Sequence, residues 1–297
     1  MSLVINHNLM ALNAANNLSG SYSKLATSIR RLSSGLRVGT AADDAAGLAI
    51  REIMRSDIAA LNQGIRNAND AISLIQTADG ALQVIDEKLI RMKELAEQAS
   101  TGTYTSDQRL IIDSEYQAMA SEITRIANAT DFNGIYLLNG NLSSDTHDGS
   151  GLSSTGKLKV HFGTANDSAE DYYYIKIGAS TASALGVGTQ AGSSAQAYTI
   201  STQSAAQAAL AALEDAIVSK DKIRANLGAI QNRLENTISN LQIQSENLQA
   251  AESRISDVDV SLEMTEFTRQ QILSQSAVAM LSQANTLPRL ALNLLGA

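Results

Sequence analysis

The chain has 297 residues, a net charge of −8, no cysteine, no tryptophan and one proline, Pro288. Without thiols there is no disulfide framework, iron–sulfur cluster or thiolate nucleophile. The acidic balance, with no basic cluster against it, excludes an ordinary nucleic-acid binder. Scarce proline among abundant Ala, Leu, Ser, Asn and Gln favours long helices, and no run approaches the ~18 consecutive apolar residues of a membrane span.

Met1 to Ser23 contain no formally charged side chain. Ile5, Leu9 and Leu12, then Tyr22, Leu25, Ile29 and Leu32, recur at helical spacing, which predicts a helix with an apolar stripe. This start lacks the basic region of a secretory leader, and Asn6, Asn8, Asn13, Asn16 and Asn17 dilute its apolar residues. A protein of this kind that leaves the cell is expected to do so without a cleaved signal peptide. Gly35 and Gly39 break the first helix, and Thr40 and Asp43 stand at the spacing of a capping box. Ile58, Leu61, Ile65, Ala68, Ile72 and Ile75 then form a seam that resumes after Asp79 as Leu82, Ile85, Leu89, Met92 and Ala96. The pattern predicts a coiled-coil-like helix of about fifty residues ending at Ser100-Thr101-Gly102. A shorter helix follows, with Ile112, Tyr116, Met119, Ile123 and Ile126 on one face.

The middle changes character. Asp131-Phe132-Asn133-Gly134 reads as a turn and Ile135 to Leu138 as a short strand. Asn139 to Gly156, rich in Ser, Gly and Asp, reads as a surface loop with nothing to offer a core. Lys157 to Phe162 and Asp171 to Ile177 alternate as strands, with Leu158, Val160 and Phe162 on one face and Tyr173, Ile175 and Ile177 on another. From about Ser204 the helical pattern returns, and Leu227, Leu234, Leu241, Leu248 and Ile255 repeat every seven residues. Gln270 to Leu287 are again free of formal charge, with Phe267, Met280, Leu281, Ala284 and Leu287 set among Gln and Ser. The expected fold is therefore mainly α: long antiparallel coiled-coil-like helices from both chain ends, with a small β-hairpin region at about 131–200.

Candidate chemistry is thin. His7, His147 and His161 have no metal-ligand spacing, and a loop histidine such as His147, between Asp145 and Asp148, is ordinarily just solvated. Asp43-Asp44 suits a helix start better than a catalytic pair, and the chain has no nucleophile elbow, phosphate loop or dinucleotide fingerprint. No enzyme activity, cofactor or metal is expected. The uncharged ends are harder to account for in a monomer, because a soluble chain normally dresses exposed helices with Lys and Glu. Leu9, Leu12, Tyr22, Leu25, Ile29, Leu32, Phe267, Met280, Leu281 and Leu287 are accordingly the expected assembly residues. The ends are expected to be disordered in the monomer, because ordering them costs roughly 1–2 kcal/mol of backbone entropy per residue.

Several motifs resemble those of bacterial flagellins. They are Ile5-Asn6-His7-Asn8, Ser33-Ser34-Gly35-Leu36-Arg37, Ala42-Asp43-Asp44-Ala45-Ala46-Gly47-Leu48-Ala49-Ile50, Phe132-Asn133-Gly134 and Ser253-Arg254-Ile255-Ser256-Asp257. Gln271-Ile272-Leu273, Ser282-Gln283-Ala284-Asn285 and Leu294-Leu295 complete the series. The resemblance covers about residues 1–138 and 200–297 and implies a short form without large outer domains. It implies an inner-core helical domain (1–33 and 256–297), a spoke linker (34–46) and an outer-tube helical domain (47–255) bearing the β insert. The implied function is a structural subunit of the extracellular filament that drives swimming. Implied partners are other copies of the chain, the type III flagellar export apparatus, a cytoplasmic export chaperone, and the filament cap and junction proteins. A hook–filament junction adaptor would share the terminal helices, whereas a hydrolase on the same scaffold would need a catalytic constellation that Asn139 to Gly156 lacks. The resemblance also implies a patch, Leu89, Arg91, Leu95, Gln98 and Glu115, for subunit contact and for the vertebrate Toll-like flagellin receptor. At about 100° per residue, Leu95 falls off the Leu89–Met92–Ala96 face and is expected beside Arg91 and Gln98.

Overall fold

A computed structural model describes residues 8–148, 155–168, 170–188 and 199–295, with side chains described as far as Thr286 and not for Asp148 or Thr155. The helices are α1 (Leu9–Ser34), α2 (Ala45–Ser100), α3 (Ser106–Ala129), α4 (Gln203–Ser256) and α5 (Val260–Leu295). Among the described residues six short strands lie between α3 and α4: β1 (Asp131–Phe132), β2 (Ile135–Tyr136), β3 (His147–Asp148), β4 (Thr155–Gly156), β5 (Leu158–His161) and β6 (Tyr172–Ile175). They pair as three separate antiparallel hairpins, β1–β2, β3–β4 and β5–β6. The mainly α reading with a small β region is what the chain adopts. It divides into two compact units, one of residues 1–58 and 246–297 and the other of 59–245.

In the unit of 59–245 the seams become core. Leu61, Ala68, Ile75, Leu82, Ile85, Leu89, Met92 and Ala96 of α2 are buried, as are Ile112, Tyr116 and Ile123 of α3 and Leu227, Leu234 and Leu241 of α4. Thr105 and Gln108 cap α3 reciprocally, each side chain bonded to the other's backbone N–H. Two ion pairs tie α2 to α4. Lys220, 2% exposed, reaches Asp86, and Arg224 Nε donates to Asp79 at 2.7 Å.

The β1–β2 turn places Asn133 and Gly134 at φ 52° and 79°, the left-handed pair that a two-residue hairpin requires. Leu137 and Leu138, read as strand from the sequence, instead leave β2 and are fully buried. Nor is Asn139 to Gly156 the plain surface loop expected. Leu142 is fully buried, its carbonyl accepts from Ile177 N at 3.2 Å, and the segment contributes β3 and β4. One leucine in a polar stretch is enough to anchor it, because burying that side chain is worth roughly 2 kcal/mol. Residues 149–154 of that segment lie outside the described residues.

The β5–β6 hairpin turns Val160 and Ile175 inward and rests on α2 at Gly64. A Cβ at position 64 would lie 2.0 Å from the Phe162 carbonyl oxygen, and Asn67 Nδ2 donates to the His161 carbonyl at 2.9 Å. Gly64→Val is therefore expected to lift the hairpin from α2 and cost roughly 1–3 kcal/mol of stability, read as a lower denaturant midpoint by circular dichroism.

In the unit of 1–58 and 246–297 the chain breaks twice, and the breaks pair. Gly35, at φ 72°, ends α1 and its N–H returns to the Arg31 carbonyl. Arg37 N then donates to Ser256 O at 2.7 Å, and Val258 N to Gly35 O at 3.0 Å, around a bridge between Leu36 and Asp257. Asp259 starts α5 by accepting from Ser261 N and Leu262 N. The capping role expected of Thr40 belongs to Asp44, whose carboxylate accepts from Gly47 N at 2.9 Å. Asp43 instead closes the turn on the Thr40 hydroxyl and N–H and pairs with Arg30 at 2.8 Å. These bonds, the Thr40 hydroxyl first, hold its carboxyl below the usual aspartate range.

Candidate assembly surface

Helices α1 and α5 lie against each other, yet what they bury fully is small or polar: Ser28, Glu263, Gln270, Ser274 and Ala284. Asn8 caps α1 and also reaches across, its Nδ2 donating to the Ala284 carbonyl at 2.8 Å. Arg31 pairs with Glu263 at 3.6 Å. Many of the large apolar side chains stay in water. Leu9, Leu12 and Met280 are 67%, 57% and 64% exposed, and Tyr22 and Ile29 are exposed as well. Leu25, Leu32, Phe267 and Leu281 are half-buried. The side chain of Leu287 and the whole of Ile5 lie outside the described residues. Each helix therefore covers one mixed stripe, with Leu18, Leu25 and Leu32 of α1 and Phe267 and Leu281 of α5 covered only in part, and leaves a second apolar stripe in water, more than an ordinary helical pair exposes.

The surface is wider than the expected assembly residues. Ile53, Leu262, Ile272 and Leu273 are exposed too, extending the apolar surface onto the start of α2 and around α5. Ile272 and Leu273 stand in the uncharged run of Gln270 to Leu287, whereas Ile53 and Leu262 stand among charged neighbours that give no such signal. Between α1 and α5 runs a groove of about 750 Å³, lined by Met10, Asn13, Asn17, Lys24, Leu273 and Met280 among others. No helix of the described residues is long and apolar enough to cross a membrane.

The second expected patch lies in the unit of 59–245 and is only partly a surface. Leu89 and Leu95 are 0% and 2% exposed and belong to the core with Ile112 and Tyr116. Leu95, expected off the core face, is buried all the same. α2 carries α3 on one side, as the Arg109 Nε bond to the Ala99 carbonyl shows, and α4 on another. A helix flanked twice buries a second stripe. Arg91, Gln98 and Glu115 remain accessible. Arg91 donates to Glu115 Oε1 from Nε and Nη2 at 3.0 and 2.9 Å, and to Glu94 at 2.9 Å. These carboxylates, Glu94 foremost, raise its pKa. Gln98 Nε2 donates to the Tyr104 hydroxyl at 2.9 Å.

No group of three or more potential metal ligands occurs among the described residues. His7 lies outside them, and His147 and His161 sit on separate hairpins.

Residues 5–143 match the bacterial flagellin N-terminal helical region and residues 210–295 the bacterial flagellin C-terminal helical region. Across 99% of its length the chain is 41% identical to the whole of the flagellar filament 33 kDa core protein of Treponema phagedenis. It is 44% identical to the flagellin of Bacillus subtilis strain 168, over 98% of this chain and 99% of that one. This chain belongs to the bacterial flagellin family. A solved structure of a flagellar hook-associated protein from Vibrio parahaemolyticus matches this flagellin with a TM-score of 0.54 at 15% identity, over 72% of this chain and all of the other. That likeness is one of fold.

Proposed function

We propose that this flagellin, a structural subunit of the flagellar filament, polymerises by burying the apolar faces of α1 and α5 between copies. The observation that carries this is the set of large apolar side chains, Leu9, Leu12, Tyr22, Ile29 and Met280 among them, that the terminal pair leaves in water. Burial at about 25 cal/mol per Å² makes each such side chain worth roughly 1.5–3 kcal/mol, a reward that the lone chain does not collect. In this reading residues 1–33 and 256–297 form the inner core, 34–46 the spoke, and 47–255 the outer tube. The terminal segments pass unfolded through the type III export apparatus, guarded until then by a cytoplasmic chaperone, and order under the filament cap, with junction proteins at the base. Purified monomer seeded with filament fragments in salt should elongate them under the electron microscope. Failure to elongate across salt and concentration would defeat the proposal.

Arg91, Gln98 and Glu115 form the accessible part of a patch proposed to serve subunit contact first and the vertebrate Toll-like flagellin receptor on shed monomer second. Leu89 and Leu95 act there as the buried support of that surface. Arg91→Ala should weaken both receptor-reporter signalling by monomer and swimming by the mutant strain. Wild-type strength in both assays would return Arg91 to ordinary helix surface.

A further inference from the structure

On this acidic chain one surface gathers lysine, histidine and tyrosine, with Asp145 and Asp70 at its margins. The β5–β6 hairpin turns Lys159, His161, Tyr172 and Tyr174 to its outer face, opposite the inward Val160 and Ile175. Lys159 Nζ lies 3.6 Å from the centroid of the Tyr172 ring, and Lys157 Nζ 4.2 Å from that of Tyr174. The two rings meet edge to face at 5.4 Å, and His161 and His147 extend the row beyond Tyr172 and Tyr174 at 6.1 and 5.8 Å. The tyrosine rings thus fix two ammonium groups in place. Among the described residues neither ammonium is held in an ion pair; the hairpin's pair, Lys176 with Asp145, uses a different lysine. Beside this face, between the hairpin and α2, opens a groove of about 340 Å³ whose polar lining is Asn67, Asp70, Asn133, Lys159 and His161, the Asp70 carboxylate being placed to accept from a sugar hydroxyl. That volume falls in the range of small-ligand sites.

We propose that this outer hairpin face, with the adjoining groove, binds an acidic polysaccharide. The held ammonium groups of Lys157 and Lys159 meet carboxylate or sulfate groups along the polymer. Tyrosine hydroxyls and asparagine amides meet its hydroxyls, and the groove takes one sugar ring. Single-stranded nucleic acid is a poorer fit, because it binds through bases stacked on open aromatic faces. Here the faces of Tyr172 and Tyr174 are already covered by lysine. A membrane surface fits no better, since Tyr174 is the one exposed large apolar side chain of the described hairpin residues. The shallow site holds weakly in a single copy. On a polymer many copies engage one glycan chain and avidity multiplies, a part of the inference that rests on the filament reading.

The test uses full-length monomer, labelled heparin fragments as the sulfated probe and labelled polygalacturonate fragments as the carboxylated one. Neutral dextran and a single-stranded oligonucleotide serve as comparisons, at low salt and with anisotropy as the readout. Monomer should bind at least one acidic glycan, which one separating sulfate from carboxylate, and should ignore dextran. The double variant Lys157→Ala/Lys159→Ala, at two half-buried positions, should lose at least tenfold in affinity while its circular-dichroism spectrum stays that of the wild type. Unaltered binding by the double variant, no binding by the wild type, or oligonucleotide binding as tight as glycan binding would each overturn the proposal. Co-sedimentation with seeded filaments is a separate arm. Monomer that binds but does not polymerise defeats only the filament reading, whereas filaments that form from non-binding monomer defeat only this one.

Discussion

Met280→Asp is expected to abolish seeded filament growth while leaving the unit of 59–245 as stable as before. In the monomer this side chain is 64% exposed, so a carboxylate there stays hydrated, and surface changes of that kind usually alter stability by less than about 0.5 kcal/mol. In the filament the same carboxylate must enter an apolar contact. Removing a charge from water without a partner costs several kcal/mol, and every added copy would bear that cost. A factor of ten in binding corresponds to about 1.4 kcal/mol, so the critical concentration should rise beyond reach. Electron microscopy and light scattering on seeded samples would show it, with Met280→Leu growing normally beside it. If Met280→Asp elongated seeds at the wild-type rate, this part of α5 would not be an assembly surface.

Asp86→Ala is expected to cost about 3 kcal/mol of stability, the largest effect we anticipate for a single substitution in the core. The Lys220 ammonium is almost wholly enclosed, and its carboxylate partners are Asp86 and, at 2.8 Å, Asp221. Asp221 is 59% exposed, so it compensates poorly for the loss. Replacing the pair by Asp86→Ala/Lys220→Met should recover much of the stability, since an apolar side chain of similar length needs no partner. Guanidinium unfolding followed by circular dichroism would give both values. A single variant as stable as the wild type would show that Lys220 reaches water when its partner is gone.

That ion pair also shows where the sequence could have been read further. The heptad from Leu227 to Ile255 was plain, and its positions are buried at Leu227, Leu234 and Leu241 and half-buried at Leu248 and Ile255. Continued backwards by sevens, the same register passes through Lys220 to Leu213, and Leu213 is fully buried. A charge in a seam signals a partner, and Asp79 and Asp86 stand seven residues apart on the facing helix. Such a pair fixes register at some expense in stability.

Other features left weaker traces. The break between α4 and α5 at Ser256–Asp259 lies in a run without glycine or proline, and is held by bonds to Gly35 and Arg37 more than two hundred positions away. Burial of Leu142, Leu185 and Val187 depends on loops that fold onto the helices, and Tyr116 completes the fit by donating to the Val187 carbonyl at 3.3 Å. No local period encodes such contacts. The exposed apolar side chains of the chain ends were legible for the opposite reason: missing charge is a property of composition, and it needs no register to be seen.

What becomes of the terminal helices when copies meet decides most directly whether they are the assembly surface. Limited trypsin digestion of monomer and of seeded filament, compared by intact-mass spectrometry, measures this at Lys24, Arg30, Arg31 and Arg269. The monomer should be clipped at both ends within minutes, leaving a resistant fragment that contains the unit of 59–245, because α1 and α5 fully bury only small and polar groups and cover their leucines in part. In the filament the same bonds should survive. Equal resistance in the two states, or equal cleavage, would contradict burial of the ends by neighbouring subunits.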